Sequence, residues 1–258
     1  MGLQSGVVVG VLGQWASGKS TAARTLVDHL GGDDEVIFLT DRVLLGQHVV
    51  KYVLRREESE VKRAIEADGS RRFAGPLATY WLPPGEELST VDLNYLRFDL
   101  HQDVYDKVPA GACSWLNEVR IELGRQILAR AAEGKPIVVE AGFGSNQQPR
   151  GENPFCHNVD DLFVRLGQAG LEPDRVKWIL IEASYATRRA RNHRRIDVVP
   201  DLEFDRFAAD GGDLDPEQAR YWSERGITLK RVTNDHHDVQ RFKRDITAAC
   251  DELLALSG

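Results

Sequence analysis

Residues Val7–Thr21 read VVVGVLGQWASGKST, and the fold is decided there. Gly13, Gly18, Lys19 and Ser20 stand in the spacing G-x-x-x-x-G-K-[ST], a pattern that holds phosphate. The glycines permit backbone conformations that turn successive N–H groups inward, toward an anion. A helix starting near Lys19 adds the partial positive charge of its N-terminus. Lys19 then reaches the outer phosphates of a nucleotide, and the Ser20 hydroxyl ligates Mg²⁺. The loop sits between an apolar run, VVVGVL, and an amphipathic one, KSTAARTLVDHL, which is the strand–loop–helix setting the motif requires. Between the glycines, Gln14, Trp15, Ala16 and Ser17 supply mainly backbone. Thr21 closes the segment, so Gly13–Thr21 is the expected donor-phosphate site. Trp15 is a large side chain for such a loop. It either packs against neighbouring loops or shields the site from water and touches the acceptor.

The bulk properties set limits on everything outside this loop. The 258 residues are 42% hydrophobic and 28% charged, which suits a soluble globular chain with a substantial core. A formal net charge of −7 disfavours a nucleic-acid partner, although local basic clusters exist. Cys113, Cys156 and Cys250 lie far apart and form no metal or redox spacing, as expected of a cytoplasmic protein. No apolar run approaches the roughly 18–20 residues of a membrane span. VVVGVL is too short for a signal-peptide core and runs straight into the glycine loop.

Working outward, short β-branched runs alternate with amphipathic stretches. Strands are expected at Gly6–Leu12, Glu35–Thr40, Pro136–Glu140, Val176–Glu182 and Ile227–Thr233. Helices are expected at Lys19–Leu30, about Val43–Ala67, Trp115–Glu133, Val159–Ala169, Ala183–Arg195 and Asp238–Leu256. Nearly all-apolar strands separated by helices predict a doubly wound α/β domain with a five-stranded parallel sheet. Two segments break the rhythm: Asp68–Gly111, rich in Gly, Pro and aromatics, and the polar loop Gly142–His157. Loops of this length in a compact domain are commonly functional.

The loop motif serves kinases, switch GTPases and motor ATPases alike, so other features must separate them. No Asn-Lys-x-Asp guanine-reading pattern is present. The fourth strand leads into ASYATRRARNHRR, where Arg188, Arg191 and Arg195 share one helical face. Clustered guanidinium groups suit phosphoryl transfer, in which charge develops on the transferring oxygens. The solvated face of a basic helix is the plainer alternative. With these segments the chain resembles the nucleoside-monophosphate-kinase-like group of phosphate-loop kinases, which includes adenylate, thymidylate and dephospho-coenzyme A kinases. WILIEASYATRRARNHRR resembles their fourth strand and lid helix; ITLKRVTNDHHDVQRFKRDI resembles their last strand, an Asn-containing loop and the closing helix. The resemblance implies strand order 2-3-1-4-5 in a single domain, 1–258. It also implies an acceptor-side insert at about 43–115, a lid at about 184–212, and ATP and Mg²⁺ as cofactors. It makes Asn234 and Asp235 contacts of the donor base. Where adenylate kinases carry Asp-Gly-Phe-Pro-Arg after the third strand, this chain has VVEAGFGSNQQPR, with Glu140 in the place of the acid. The expected acceptor is therefore some other small molecule.

Asp41 ends the second strand and Glu140 the third, so both are expected at the carboxyl edge beside the phosphate loop. An acid there holds Mg²⁺ through water or orients an acceptor hydroxyl. Asp41 is assigned to the acceptor side as general base and Glu140 to the metal with Ser20; the reverse assignment stays open. A salt-bridged or helix-capping role is the plain alternative for each. Arg42, Arg71, Arg72 and Arg150 are candidate acceptor-binding cations. The expected activity is transfer of the γ-phosphate of ATP to a small molecule. The rivals are a kinase acting on a nucleic-acid end or modified base, and a regulatory protein that binds ATP without catalysis.

Overall fold

The computed structural model describes residues 6–41, 44, 114–142, 159–194, 204–205 and 216–256. Five parallel strands form one sheet: β1 (Val8–Gly13), β2 (Ile37–Thr40), β3 (Ile137–Gly142), β4 (Lys177–Glu182) and β5 (Leu229–Thr233). Their order is β2-β3-β1-β4-β5, the order expected above. The helices are α1 (Lys19–His29), α2 (Ser114–Ala131), α3 (Val159–Gln168), α4 (Tyr185–Asn192), α5 (Pro216–Ser223) and α6 (Val239–Ala255). Apart from Leu44 and Gly142, the helix expected at about 43–67 and the irregular segments at 68–111 and 142–157 lie outside the described residues.

Strand alternation accounts for the layers. On β1, Val9 and Val11 face the layer of α1 and α6, packing with Leu26, Val27, Phe242, Ile246 and Leu253. Val8 and Leu12 face the other way, toward Leu123 and Ile127 of α2 and Leu162, Phe163 and Leu166 of α3. Both faces of β1 are therefore covered, and its whole run is buried, as a central parallel strand requires. Gly10 belongs to the α2–α3 face and stands opposite Trp178 of β4. A Cβ at Gly10 would lie 2.2 Å from the Trp178 ring, so the indole is seated on the bare backbone of β1. Trp178 also packs against Phe163, which meets Trp222 of α5 in turn. Trp222 donates from Nε1 to Asp160 at 2.6 Å, pinning α5 to the start of α3.

The sequence reading had no place for α5, whose helix opens on a proline, as first turns often do. Strand boundaries shift by one or two residues from expectation, with β1 and β3 each running on to a terminal glycine. In the described residues α4 ends at Asn192, short of the expected Arg195. No helix among the described residues is long and apolar enough to cross a membrane.

Candidate phosphate-transfer site

All five strands point their carboxyl ends the same way, so the loops after them meet on one edge. The phosphate loop leaves β1 at Gly13 and turns through Gln14–Ser17, where the Ser17 N–H donates to the Gln14 carbonyl at 3.2 Å. Ala16 at φ 58° and Gly18 at φ 103° adopt left-handed backbone, a costly conformation for alanine. The two motif glycines are dictated by close approach. A Cβ at Gly13 would lie 2.4 Å from Ser17 Oγ, and one at Gly18 would lie 2.4 Å from Asn234 Nδ2. Gly18 is the N-cap of α1 and supplies no side-chain hydrogen bond there. That leaves the helix N-terminus to a ligand rather than to its own sequence. α4 and α6, by contrast, are capped by Ser184 and Asp238.

Parity along β3 explains the acid. Val138 packs on the α1 side of the sheet, and Glu140, two residues on, shares that face. It therefore meets the first turn of α1, where Ser20 Oγ donates to Glu140 Oε1 at 2.7 Å. Glu140 is buried. Asp41, the first residue after β2, accepts from the Gly142 N–H at 2.7 Å through Oδ2. Burial pushes the Asp41 carboxyl up from 3.8 to about 6, and neighbouring Glu140 adds to the rise. The Gly142 N–H, Lys19 and Arg120 oppose it. The Lys19 amine and Asp41 Oδ2 both stand within 4.0 Å of the point where a Gly142 Cβ would be. Lys19, Asp41 and the end of β3 thus occupy one small volume beside the loop.

Arg120 is a site residue that the sequence reading missed. It is buried on α2 and donates from Nη2 to the Gly142 carbonyl at 3.2 Å. The Gly142 backbone is therefore held on its N–H by Asp41 and on its carbonyl by Arg120. The available signal was positional. Arg120 falls three residues before Leu123 and one after Val119, on the buried stripe of its helix.

On the other flank, a cavity of about 340 Å³ opens between the loop and the ends of β4 and β5, bordered by Gln14, Ser17, Glu182, Arg188, Thr233 and Asp235. Arg188 is buried and donates from Nε to the Ala183 carbonyl at 2.9 Å. Arg191 reaches the Ser17 carbonyl at 3.3 Å, Asn234 Oδ1 at 3.1 Å and the His236 carbonyl at 2.9 Å. Burial lowers the Arg191 pKa, partly offset by Asp235. Asn234 donates from Nδ2 to the Ser17 carbonyl at 2.7 Å. Asp235 accepts from the Ser184 N–H at 2.6 Å. Burial works against its charge, but bonds from Ser184 and Thr187 and the charge of Arg191 hold its carboxyl below the usual range. Asp205 is fastened to α4, accepting from the Tyr185 hydroxyl and lying 3.4 Å from Arg189 Nε.

The fold therefore gathers Gly13–Thr21, Asp41, Glu140, Arg188, Arg191, Asn234 and Asp235 along one edge. Within the loop, Trp15 and Ala16 are half-buried, and Ser20 and Thr21 are exposed. Arg42, Arg71, Arg72, Arg150 and Arg195 lie outside the described residues.

No protein-family model matches this chain, and no curated protein matches it in sequence. Solved structures similar to it include an unliganded sugar kinase from Janibacter sp. The identity is 12% over 95% of this chain and 94% of that one, with a TM-score of 0.47. A gluconokinase from Sinorhizobium meliloti is similar at 13% identity over 97% of this chain and 94% of that one, with a TM-score of 0.45.

Proposed function

We propose that this chain transfers the γ-phosphate of ATP, with Mg²⁺, to a hydroxyl or phosphate group of a small molecule. The observation that carries the reading is the convergence of Lys19, Ser20, Asp41 and Glu140 beside an uncapped helix N-terminus at the end of β1. The loop N–H groups and Lys19 bind and orient the donor phosphates. Ser20 and Glu140 form an oxygen donor pair of the kind Mg²⁺ accepts, since that ion takes few protein ligands and keeps waters and phosphates. When bound, Mg²⁺ neutralises charge on the phosphate oxygens.

Asp41 is the base that takes the acceptor's proton. A carboxyl raised to about 6 is still ionised at neutral pH, yet is more basic than an ordinary aspartate. Arg188 and Arg191 contribute positive charge on the lid flank, and Asp235 borders the cavity on the donor-nucleoside side. The acceptor approaches from the side of Asp41, where Arg42, Arg71, Arg72 and Arg150 are the candidate cations. The formal charge of −7 favours a small acceptor over a nucleic acid.

The test is ATP consumption with Mg²⁺ across a panel of nucleosides, nucleotides, sugars and hydroxy acids, using wild type and Lys19→Ala. Wild type turns over with one class of acceptor, and the variant loses roughly a hundredfold or more. Full ATP-dependent transfer by Lys19→Ala refutes the reading. Tight ATP binding without transfer to any acceptor favours the regulatory alternative.

A further inference from the structure

Asn234 and Arg191 were expected at the donor base and at the transferring phosphate. Their hydrogen bonds lead elsewhere. The Ser17 carbonyl, inside the phosphate loop, accepts from Asn234 Nδ2 at 2.7 Å and from Arg191 Nη1 at 3.3 Å. The two side chains also bind each other, Arg191 Nη2 donating to Asn234 Oδ1 at 3.1 Å. A third anchor, from Arg191 to the His236 carbonyl at 2.9 Å, fixes the guanidinium to the loop after β5. The Asn234 N–H donates to the Glu182 carbonyl at 2.7 Å, so the asparagine is itself tied to the end of β4. Ser17 and Asn234 are both almost wholly buried.

From this network we infer that Asn234 and Arg191 are positioning residues of the phosphate loop, which orient the Ser17–Gly18 peptide so that its N–H faces the donor phosphates. The inference rests on the donor-site reading above. Its physical core is peptide geometry: in a planar trans peptide, C=O and N–H point in opposite directions. Two donors on the Ser17 carbonyl therefore fix the direction of the Gly18 N–H, which is turned away from Asn234. The loop needs such restraint, because Ala16 at φ 58° and Gly18 at φ 103° are not conformations a free chain prefers. The approach is tight as well: Asn234 Nδ2 lies 2.4 Å from where a Gly18 Cβ would stand. This gives Gly18 a second reason to be glycine, besides its φ. Arg191 belongs to α4, so the same contact links the loop to the lid helix.

The experiment compares two probes, inorganic triphosphate and adenosine, each displacing a fluorescent ATP analogue from the full chain. Asn234→Ala is expected to weaken triphosphate about three- to tenfold, the worth of one hydrogen bond, and to leave adenosine within about twofold. Asn234→Asp weakens triphosphate at least as much, because a carboxylate oxygen then faces the Ser17 carbonyl. Arg191→Met also weakens triphosphate, and its effect combines with that of Asn234→Ala less than additively, since both act on one carbonyl. Loss of adenosine with triphosphate unchanged makes Asn234 a base contact and overturns the inference. Equal loss of both probes, or a lowered melting temperature with both affinities intact, overturns it too. If wild type itself fails to bind triphosphate, the donor-site reading falls first, and this inference falls with it.

Discussion

Replacing Asp41 by Asn tests the site through stability, independently of any acceptor. The Asp41 carboxyl has its pKa raised from 3.8 to about 6, chiefly by burial. The folded chain thus holds this proton to higher pH than the unfolded chain does. Between those values the folded state binds more protons, so stability falls as pH rises. Below 3.8 the residue costs nothing; above about 6 the full penalty is present. At about 1.4 kcal/mol per pKa unit, the gap between 3.8 and 6 amounts to about 3 kcal/mol. Asparagine mimics the protonated acid and can still accept the Gly142 N–H, so it escapes this penalty at every pH.

The quantity to measure is how much the advantage of Asp41→Asn over wild type grows with pH. Any fixed cost of the amide cancels in that comparison. Urea unfolding of nucleotide-free, chelator-treated protein, followed by tryptophan fluorescence, gives the two stabilities. Between about pH 4.5 and about pH 8 the variant's advantage should increase by about 2 kcal/mol, because part of the titration is already over at the lower pH. With a urea slope of about 3 kcal/mol per M, the midpoints separate by an additional 0.7 M, roughly. The same variant loses phosphotransfer, while wild-type kcat/KM, which reports the free protein, falls on the acid side with a midpoint near 6. An advantage that is equal at the two pH values refutes the account of Asp41 as a carboxylate strained by burial.

Two further substitutions probe what surrounds that acid. Arg120→Met removes the donor to the Gly142 carbonyl and one of the cations that lower the Asp41 pKa. The acid limb of the kcat/KM profile should then move to higher pH, with Arg120→Lys recovering part of the shift; an unmoved limb removes Arg120 from the site. Gly10→Ala places a Cβ 2.2 Å from the Trp178 ring. It should cost about 1–3 kcal/mol in thermal unfolding, and Trp178→Leu in the same chain should relieve it. A Gly10→Ala chain as stable as wild type would show that the indole is not seated on β1.

What the sequence disclosed follows from the range of the forces involved. β1, β3 and β4 were legible because each is an apolar run covered on both faces, which leaves little room for polar residues; the edge strands β2 and β5 are only partly buried, and β5 carries Lys230 and Arg231. Asp41 and Glu140 were legible for the same reason, each being the acid at which such a run stops. α5 was not, since its eight residues PEQARYWS make only about two turns; Trp222 is held there by Phe163 and Asp160, more than fifty residues away. Arg120 looked like any arginine on an amphipathic helix, and its role depends on the end of β3 arriving within 3.2 Å.

The arginines of α4 show the limit most clearly. Spacing put Arg188 and Arg191 on one face, and the structure agrees, but that face meets two different walls. Arg188 bonds the carbonyl just before its own helix and borders the cavity, whereas Arg191 grips the Ser17 carbonyl from outside the loop. A guanidinium donates to a phosphate oxygen and to a peptide oxygen alike, although the bond to phosphate is the stronger. Residue type therefore specifies that Arg191 will find an oxygen, and only the placing of α4 beside the phosphate loop and the loop after β5 decides which one. Asn234 raises the same choice between a base and a backbone. There the 2.7 Å bond to Ser17 argues for the backbone, so the loop's shape depends on residues more than 170 positions from its glycines.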